Sequence, residues 1–352
     1  MLLSISDFIT DATYWCHRIN IVLEPIGLIV NLFHMLVLTR KSMRANCINV
    51  ILIGIGICDL VNLANDFYKH MIFVLVFADK CSAPLGYLFT IFDFWTPGIA
   101  DDARRCRTWF AFLMALLRYL ILRSDLNPKF GDISKPKVVL KIMAIPFVIS
   151  TCMSAFFWGR FIFVEGNVWV PPEGCTGYPN GYSQVSYVSQ VGYGLYYYSL
   201  PLRIFNLSDG ILKLIPTLMF PLLTFLLIHE LRRTKNSIQK ISTSSKAEET
   251  KGDNATKLVI MMTITFMTAE SPFGIVYFLE GIITSPPGPA DILKRTKYLF
   301  EVFVIINATS HFLVCLLVSS PYRKAVKEMF CGAEKRKQTT MLIAPRSMFS
   351  VQ

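Results

Sequence analysis

The sequence predicts an all-α membrane protein that folds as a bundle of seven transmembrane helices. Its 352 residues are 53% hydrophobic and only 17% charged, and the mean hydropathy is +0.47, which is too apolar for an ordinary soluble domain. A helix needs about 20 mostly apolar residues to cross a hydrocarbon core of roughly 30 Å, and the chain contains seven runs of that size. The connections alternate in basic character, as loops on opposite sides of a membrane do.

The seven predicted spans lie at residues 19–39, 48–73, 98–122, 138–163, 211–228, 258–283 and 298–318. Neither an internal repeat nor a soluble domain interrupts them. We therefore assign one seven-transmembrane domain to residues 1–330 and a cytoplasmic tail to residues 331–352. No basic segment precedes the first span, so we expect no cleaved signal peptide.

The placement of Lys and Arg predicts the orientation. Basic clusters occupy the first, third and fifth connections and the tail, whereas the N-terminus and the fourth connection carry acidic residues and few bases. Short basic segments stay in the cytoplasm, so we expect a multi-pass protein of the plasma membrane, surrounded by lipid, with an extracellular N-terminus. The net charge of +11 is divided among loops between apolar spans, which argues against a nucleic-acid partner.

The nine cysteines follow no metal-ligand spacing, and we expect neither a metal nor another cofactor. Cys81 and Cys175 fall in extracellular connections, where oxidising conditions favour a disulfide. Cys16 also lies outside and Cys106 lies near the outer end of the third span, so this pairing is inferred rather than fixed.

Two longer connections differ in composition. Residues 164–206 are rich in Gly, Tyr, Ser and Pro and predict an aromatic extracellular lid, whereas residues 234–256 are rich in Ser, Thr, Lys and Glu and predict a solvated cytoplasmic loop. Asn206 begins an N-x-S sequon in the first of them and is a candidate for glycosylation. It also lies close to the fifth span, so an unmodified Asn206 is an equal alternative.

The third span begins with an unusual run of charges: Asp101, Asp102, Arg104, Arg105 and Arg107. Residues 109–122 alone are too short to cross the bilayer, so the helix must include these charges. Charged side chains at this depth usually face a protein interior or a wet cavity and are paired. Arg105 is correctly spaced to pair with Asp101 or Asp102.

These charges allow two interpretations. They line a ligand cavity that opens to the outside, or they form an interfacial segment whose side chains reach the lipid headgroups. Further polar residues in other predicted spans favour a shared polar interior: Asp59, Glu270, Glu280, Asn307 and His311.

Several short motifs follow one another along the predicted spans: GLIVN with Asn31, ICDL with Asp59, LLRYL with Arg118 and Tyr119, Pro216 before ELRR, FMTAESPFG with Phe266 and Pro272, and NATSHFLVC with Asn307. This ordered series resembles that of the rhodopsin-like G-protein-coupled receptors. The chain departs from the family pattern at Leu117 (for an acid), Glu270 (for Trp), His311 (for Asn), Phe312 (for Pro) and Cys315 (for Tyr). Segments such as RRCRTW, EGCTG and SHFLVCLLVSSPYR resemble most the nematode serpentine receptor class w, a chemoreceptor branch similar to FMRFamide-type peptide receptors.

The resemblance implies a receptor that binds an extracellular neuropeptide or small chemosensory molecule and activates a heterotrimeric G protein. It implies roles in activation and G-protein coupling for Arg118, Tyr119, Asp59, Arg107, Asn307, His311, Pro272 and Pro216. We place the ligand, in the outer half and beneath the aromatic lid, at Asp101, Asp102, Arg104, Arg105, Glu270 and Tyr277. Mixed charge there suits a peptide or a zwitterionic small molecule.

The register implied by the resemblance places Arg107 at the depth of Asp59, where many relatives hold a sodium ion. We predict that Arg107 pairs with Asp59 and replaces that ion. The alternative is that Arg107 turns elsewhere in the polar interior.

The segment SSPYRKAVKEMF after the last span has an amphipathic pattern and predicts a short eighth helix on the inner leaflet. Cys331, which follows it, is a candidate for palmitoylation, with an unmodified thiol as an equal alternative.

A transporter of a charged small molecule is the main alternative function, because intramembrane charges also mark substrate paths. The chain lacks the inverted repeats of many transporters, and the motif series favours the receptor. The sequence favours an enzyme less than either of these, because the five histidines form no metal motif and no Ser/His/Asp set can be placed.

Overall fold

The computed structural model describes residues 2–72, 80–124, 135–191, 199–241, 246–283 and 287–330. In chain order its elements are α1 (Leu2–Leu38), α2 (Lys41–Arg44), α3 (Cys47–Ile72), α4 (Tyr87–Ser124), α5 (Pro136–Trp158), β1 (Phe161–Trp169), β2 (Gln184–Val191), α6 (Ser199–Ile241), α7 (Lys246–Ile282), α8 (Pro287–Val318) and α9 (320–330).

Seven long helices form the bundle, which confirms the predicted fold class. Six of them, α1, α3, α5, α6, α7 and α8, are long and apolar enough to cross a membrane. The seventh is α4, which has 38 residues and packs against α3, α5, α6 and α7. Because neighbouring helices surround α4, its charged outer half is sheltered from lipid inside the bundle.

Helix boundaries differ from the predicted spans where charged or aromatic residues obscure the pattern. Helix α4 begins at Tyr87, well before the predicted start at residue 98. The predicted span 138–163 is too long, because α5 ends at Trp158 and Phe161 begins a strand. The predicted cytoplasmic loop 234–256 is mostly helical: α6 extends to Ile241 and α7 begins at Lys246, and residues 242–245 lie outside the described part of the chain.

The fourth connection, which the sequence predicts to be an aromatic lid, contains an antiparallel hairpin of β1 and β2. The predicted disulfide Cys81–Cys175 is present, with its Cα atoms 5.5 Å apart, and ties the hairpin to the segment before α4. Two hydrogen bonds add to this attachment: Tyr178 Oη donates to the Cys81 carbonyl (2.5 Å) and Gln184 Nε2 donates to the Pro84 carbonyl (2.6 Å). The Tyr-rich segment 192–198 lies outside the described residues.

Asn206 does not lie in an extracellular loop, which corrects the sequence prediction. It lies inside α6, which begins at Ser199, and it is only 9% exposed. A helical, buried side chain does not present its amide to the glycosylation machinery, because acceptor sequons lie in surface loops.

The predicted eighth helix is present as α9, which follows α8 after a break at Ser319. Its aromatic residue Tyr322 is fully buried, and the Tyr322 hydroxyl hydrogen-bonds His34 Nδ1 of α1 at 2.8 Å. Burial raises the pKa of the Tyr322 phenol well above its usual range, so the hydroxyl stays protonated. Cys331 and the predicted tail lie outside the described residues.

A buried charge network and candidate ligand site

Arg107 lies at the centre of the bundle and is completely buried. Its guanidinium Nη1 donates to Asp59 Oδ1 of α3 at 2.8 Å, and its Nη2 donates to Glu270 Oε1 of α7. The predicted Arg107–Asp59 pair is therefore present. His311 of α8 adds a third contact, because its Nδ1 donates to Asp59 Oδ2 at 3.0 Å.

This centre explains two departures from the family motifs together. Glu270 stands where the sixth-helix motif has Trp, and His311 stands where the seventh-helix motif has Asn. Both side chains contact this charged cluster, Glu270 through Arg107 and His311 through Asp59. A Trp side chain carries no charge and would form no ion pair with Arg107. The His311 ring stacks on Phe266 with ring centroids 5.0 Å apart, and the Arg107 guanidinium lies 6.0 Å from the same ring.

Asn307 lies one helical turn from His311 and is 3% exposed. Neither its amide nitrogen nor its amide oxygen has a hydrogen-bond partner among the described residues. Glu270 Oε2 and His311 Nε2 are likewise without partners there. Buried polar atoms normally have hydrogen-bond partners. A site in which several of them are unpaired can form new hydrogen bonds when the surrounding helices rearrange, so it is suited to a conformational change.

The predicted pairing of Arg105 with Asp101 or Asp102 is wrong. Arg105 turns toward α5 and α6, where its Nη1 donates to Asp209 Oδ1 at 2.7 Å. Its Nε donates to Ser150 Oγ at 2.8 Å and its Nη2 donates to Ser154 Oγ. Since Arg105 is 1% exposed, its bonds join three helices rather than await a ligand.

Lys213 of α6 shares Asp209 with Arg105. Both Asp209 and Lys213 are fully buried, and Lys213 Nζ donates to Asp209 Oδ2. The ammonium nitrogen also lies 3.8 Å from the ring centroid of Tyr277. One buried carboxylate therefore pairs with two cations, and the Tyr277 ring provides a further contact for Lys213.

An outer cluster of charged and aromatic side chains surrounds Tyr277. Lys297 Nζ of α8 lies 4.6 Å from the Tyr277 ring centroid and 2.6 Å from Glu280 Oε2. Arg104 lies over the Phe273 ring, 4.7 Å from its centroid, and its Nη1 lies 4.0 Å from Asp101 Oδ1. We call this set the outer cluster: Asp101, Arg104, Lys213, Phe273, Tyr277, Glu280 and Lys297.

Asp102 faces α5 and belongs to a different contact. Its Oδ2 accepts a hydrogen bond from Thr151 Oγ1 at 2.9 Å. The structure therefore brings Asp101, Arg104 and Tyr277 together but separates them from Asp102, Arg105 and Glu270. Helical periodicity explains this, because successive residues of α4 point in different directions.

Two cavities lie among the described helices, and one of them adjoins Arg105. One, of about 190 Å³, lies between α4, α5 and α6 and is lined by Arg105, Ser150 and apolar side chains. The other, of about 570 Å³, lies between the outer parts of α1 and α8. Of the six predicted ligand residues, Arg105 lines the first cavity and the other five line neither.

At the end of the bundle opposite the outer cluster, Arg118 of α4 contacts α7. Its Nε and Nη2 donate to Thr256 Oγ1 at 3.1 and 3.0 Å. Leu117, which replaces the usual acid, is 3% exposed and packs in the apolar core. The neighbouring Tyr119 accepts a hydrogen bond from Arg123 Nη1 at 3.1 Å. Helix α4 is thus joined to the inner part of α7 without the local acid–arginine pair.

The two predicted prolines lie inside helices, Pro216 in α6 and Pro272 in α7. Pro272 follows Glu270 closely, so the backbone hydrogen bond that a proline cannot donate is missing next to the Arg107 contact. We expect a local bend at each proline, because each removes one backbone hydrogen bond from its helix.

Sequence reasoning missed several interior residues. Asp209 was overlooked because the fifth span was predicted to begin at residue 211, although its i, i+4 spacing from Lys213 was a usable signal. Sequence reasoning also missed the contact between α1 and α3 in which His70 Nδ1 donates to Glu24 Oε2 at 2.6 Å. No i, i+3 or i, i+4 spacing pointed to this contact, because Glu24 and His70 lie on different helices.

Two comparisons with known proteins agree with this architecture. The family model of the serpentine-type seven-transmembrane chemoreceptor Srw, a G-protein-coupled receptor family and not an enzyme class, matches residues 18–333. The chain is also similar to the G-protein coupled receptor dmsr-1 of Caenorhabditis elegans, with 23% identity over 358 residues that cover 90% of this chain and 68% of that protein. Because the family match extends over most of the helical bundle, the chain belongs to the Srw family of serpentine seven-transmembrane chemoreceptors.

Proposed function

We propose that this multi-pass membrane protein is a plasma-membrane receptor that binds an extracellular peptide or small chemosensory molecule and activates a heterotrimeric G protein. Residues 1–330 form the receptor domain and residues 331–352 its cytoplasmic tail. The observation that carries the proposal is the buried Arg107 cluster, which joins α3, α4, α7 and α8 between the outer cluster and the cytoplasmic Arg118. Helices that share one charged centre respond together when an outer ligand alters it.

The sodium replacement belongs to this proposal. Arg107 supplies a fixed cation beside Asp59, the position at which related receptors hold a mobile one. The guanidinium cannot dissociate, so the equilibrium between the two receptor states depends on rearranging its contacts rather than on ion binding.

The general experiment is a ligand screen against the receptor expressed in a heterologous cell, using neuropeptides and small metabolites. For any active compound, a non-hydrolysable guanine nucleotide should weaken agonist binding to membranes, because it uncouples the G protein from the receptor. Accumulation of the compound inside sealed vesicles, with binding indifferent to guanine nucleotide, would instead support the transporter and overturn the proposal.

Within the predicted ligand set, we propose that Asp101, Arg104 and Tyr277 contact the ligand directly. They share the outer cluster, in which charges of both signs lie against aromatic rings. Asp102 extends the same helix surface toward α5, whereas Arg105 and Glu270 act by holding helices together.

Replacing Arg104 with alanine should weaken the potency of an active ligand by at least tenfold, because a charge-assisted contact contributes about 1.5–3 kcal/mol. Concentration–response curves with equal surface expression measure the effect. Arg203→Ala removes an exposed arginine from the outer part of α6 and should leave potency unchanged. Unchanged potency in the Arg104→Ala variant for every active ligand would remove Arg104 from the site.

A further inference from the structure

The cavity between α1 and α8 has the size of a small-molecule site and differs from the outer cluster. Its volume of about 570 Å³ falls within the range of roughly 300–1,000 Å³ that is typical of ligand pockets. It is lined by Tyr14, His17 and Asn20 of α1 and by Arg295, Tyr298 and Glu301 of α8, among others. None of the residues that we propose to bind the receptor's activating ligand lines it.

The inner part of this cavity offers hydrogen-bond acceptors that lack donors. Asn20 lines the cavity and is 2% exposed, and its Oδ1 has no hydrogen-bond partner among the described residues. Glu24 lies one helical turn deeper and is fully buried; its Oε2 accepts from His70, but its Oε1 has no partner in the described part of the chain. Buried acceptors without donors cost free energy, which a bound donor would recover.

In and around this cavity, the carboxylates lie at the inner end and Arg295 lies at the outer end. Glu301 lines the cavity, and its carboxylate is close enough to Asp66 and Glu24 for electrostatic interaction. The exposed Arg295 stands at the outer end, where its Nη1 donates to Thr10 Oγ1 at 2.7 Å. A cation therefore encounters its most favourable environment at the inner end, beside Asn20 and Glu301.

Two cations, Arg104 and His70, are close enough to Glu301 for electrostatic interaction, and each makes a direct contact with another residue. His70 donates to Glu24, and its ring packs edge-on against His17 with centroids 4.2 Å apart. The guanidinium of Arg104 lies over Phe273. The cavity walls include the rings of Tyr14, Tyr298 and His17, which suit an apolar or aromatic body next to a positive head.

We propose that this cavity is a second binding site, which takes a ligand through a protonated amino group that donates to Asn20 Oδ1 and the Glu301 carboxylate. The amine belongs to a small arylalkylamine or to the free N-terminus of a short peptide, because both present the same chemistry. The site goes beyond the proposed signalling function and does not require it.

The test measures thermal stabilisation of the purified full-length chain in detergent, because a ligand that binds the folded state raises its unfolding midpoint. The probes are 2-phenylethylamine and the dipeptide amide Phe-Phe-NH2, each compared with its N-acetylated form at neutral pH. We expect at least one free amine to raise the midpoint in a saturable manner and its acetylated form to have no effect. The probe that stabilises identifies the source as a small amine or a peptide N-terminus.

Two substitutions locate the effect. Glu301→Gln and Asn20→Leu should each weaken the apparent affinity for the active amine at least tenfold. Asp93→Asn, which neutralises an outer carboxylate of α4 that pairs with Lys69, should leave it unchanged. Because Gln has nearly the same shape as Glu, we expect the Glu301→Gln variant to fold normally. Its unfolding midpoint without ligand checks that the fold is intact.

The proposal is overturned by equal stabilisation from the acetylated compounds, by stabilisation that survives both substitutions, or by no stabilisation from either amine. The measurement needs no G protein, so its failure is distinguishable from a failure of the signalling proposal.

Discussion

Replacing Arg107 with leucine should destabilise the receptor by about 3–5 kcal/mol, the usual cost of leaving one partner of a buried ion pair uncompensated. The substitution leaves the Asp59 and Glu270 carboxylates buried without their shared guanidinium, and leucine forms no hydrogen bond to either. The expected result is a large fall in surface expression and in the thermal midpoint of the purified chain. Both are measured against Arg203→Leu, which removes an exposed arginine.

A combined variant separates the charge effect from the loss of volume. Adding Asp59→Asn and Glu270→Gln to Arg107→Leu removes both uncompensated charges. This should recover a large part of the lost stability, because side-chain amides carry no charge and are less costly to bury than carboxylates. If the combined variant is no more stable than Arg107→Leu alone, the charge balance of the cluster is not what holds these helices together.

The fold was predictable because a membrane restricts the alternatives. Apolar runs of sufficient length, basic loops on one side and a charged helix that must be sheltered by others lead to one architecture. The Arg107–Asp59 pair was predicted from the register that the family resemblance implies, which places both side chains at one depth, and from the need of a buried charge for a partner.

The partners of other charges were not predictable, because helix rotation is not encoded in local spacing. Arg105 is spaced correctly to pair with Asp101 or Asp102 on its own helix, yet it pairs with Asp209, which lies 104 residues further along the chain. A one-residue change in position turns a side chain by about 100° around a helix, so Arg104 and Arg105 contact different neighbours. Only the packed bundle decides between a local and a distant carboxylate.

The seventh-helix motif shows how a departure can be compensated at another position. Cys315 replaces the motif's Tyr and is buried in the apolar core. Tyr322 of α9 places a buried phenol near the same helix, with its ring centroid 6.3 Å from that of Phe312. Its hydrogen bond to His34 joins α9 to α1, a contact that the amphipathic pattern alone did not indicate.

Substitutions at the inner end of α4 should change signalling rather than stability. Arg118→Ala should abolish ligand-evoked G-protein activation while leaving surface expression largely intact, because the resemblance assigns this arginine to the G-protein-coupling face and its side chain is only partly buried. Nucleotide exchange on a co-expressed G protein provides the measurement. Full signalling by this variant would refute the role of Arg118.

We take the arrangement in which Arg118 joins α4 to α7 as the closed, non-signalling state, and Thr256→Val tests this from the opposite side of the same contact. Valine retains the shape of threonine but accepts no hydrogen bond, so Arg118 loses its contacts of 3.1 and 3.0 Å with Thr256 Oγ1. A hydrogen bond to a charged group contributes about 1.5–3 kcal/mol, which corresponds to roughly tenfold or more in the balance between closed and open receptors. Basal signalling should therefore rise. Thr268→Val is the control and should leave it unchanged, because the Thr268 hydroxyl donates to backbone carbonyls of α7 itself. A Thr256→Val receptor that is as quiet as the unmodified one would mean that the Arg118–Thr256 contact accompanies the closed state without stabilising it.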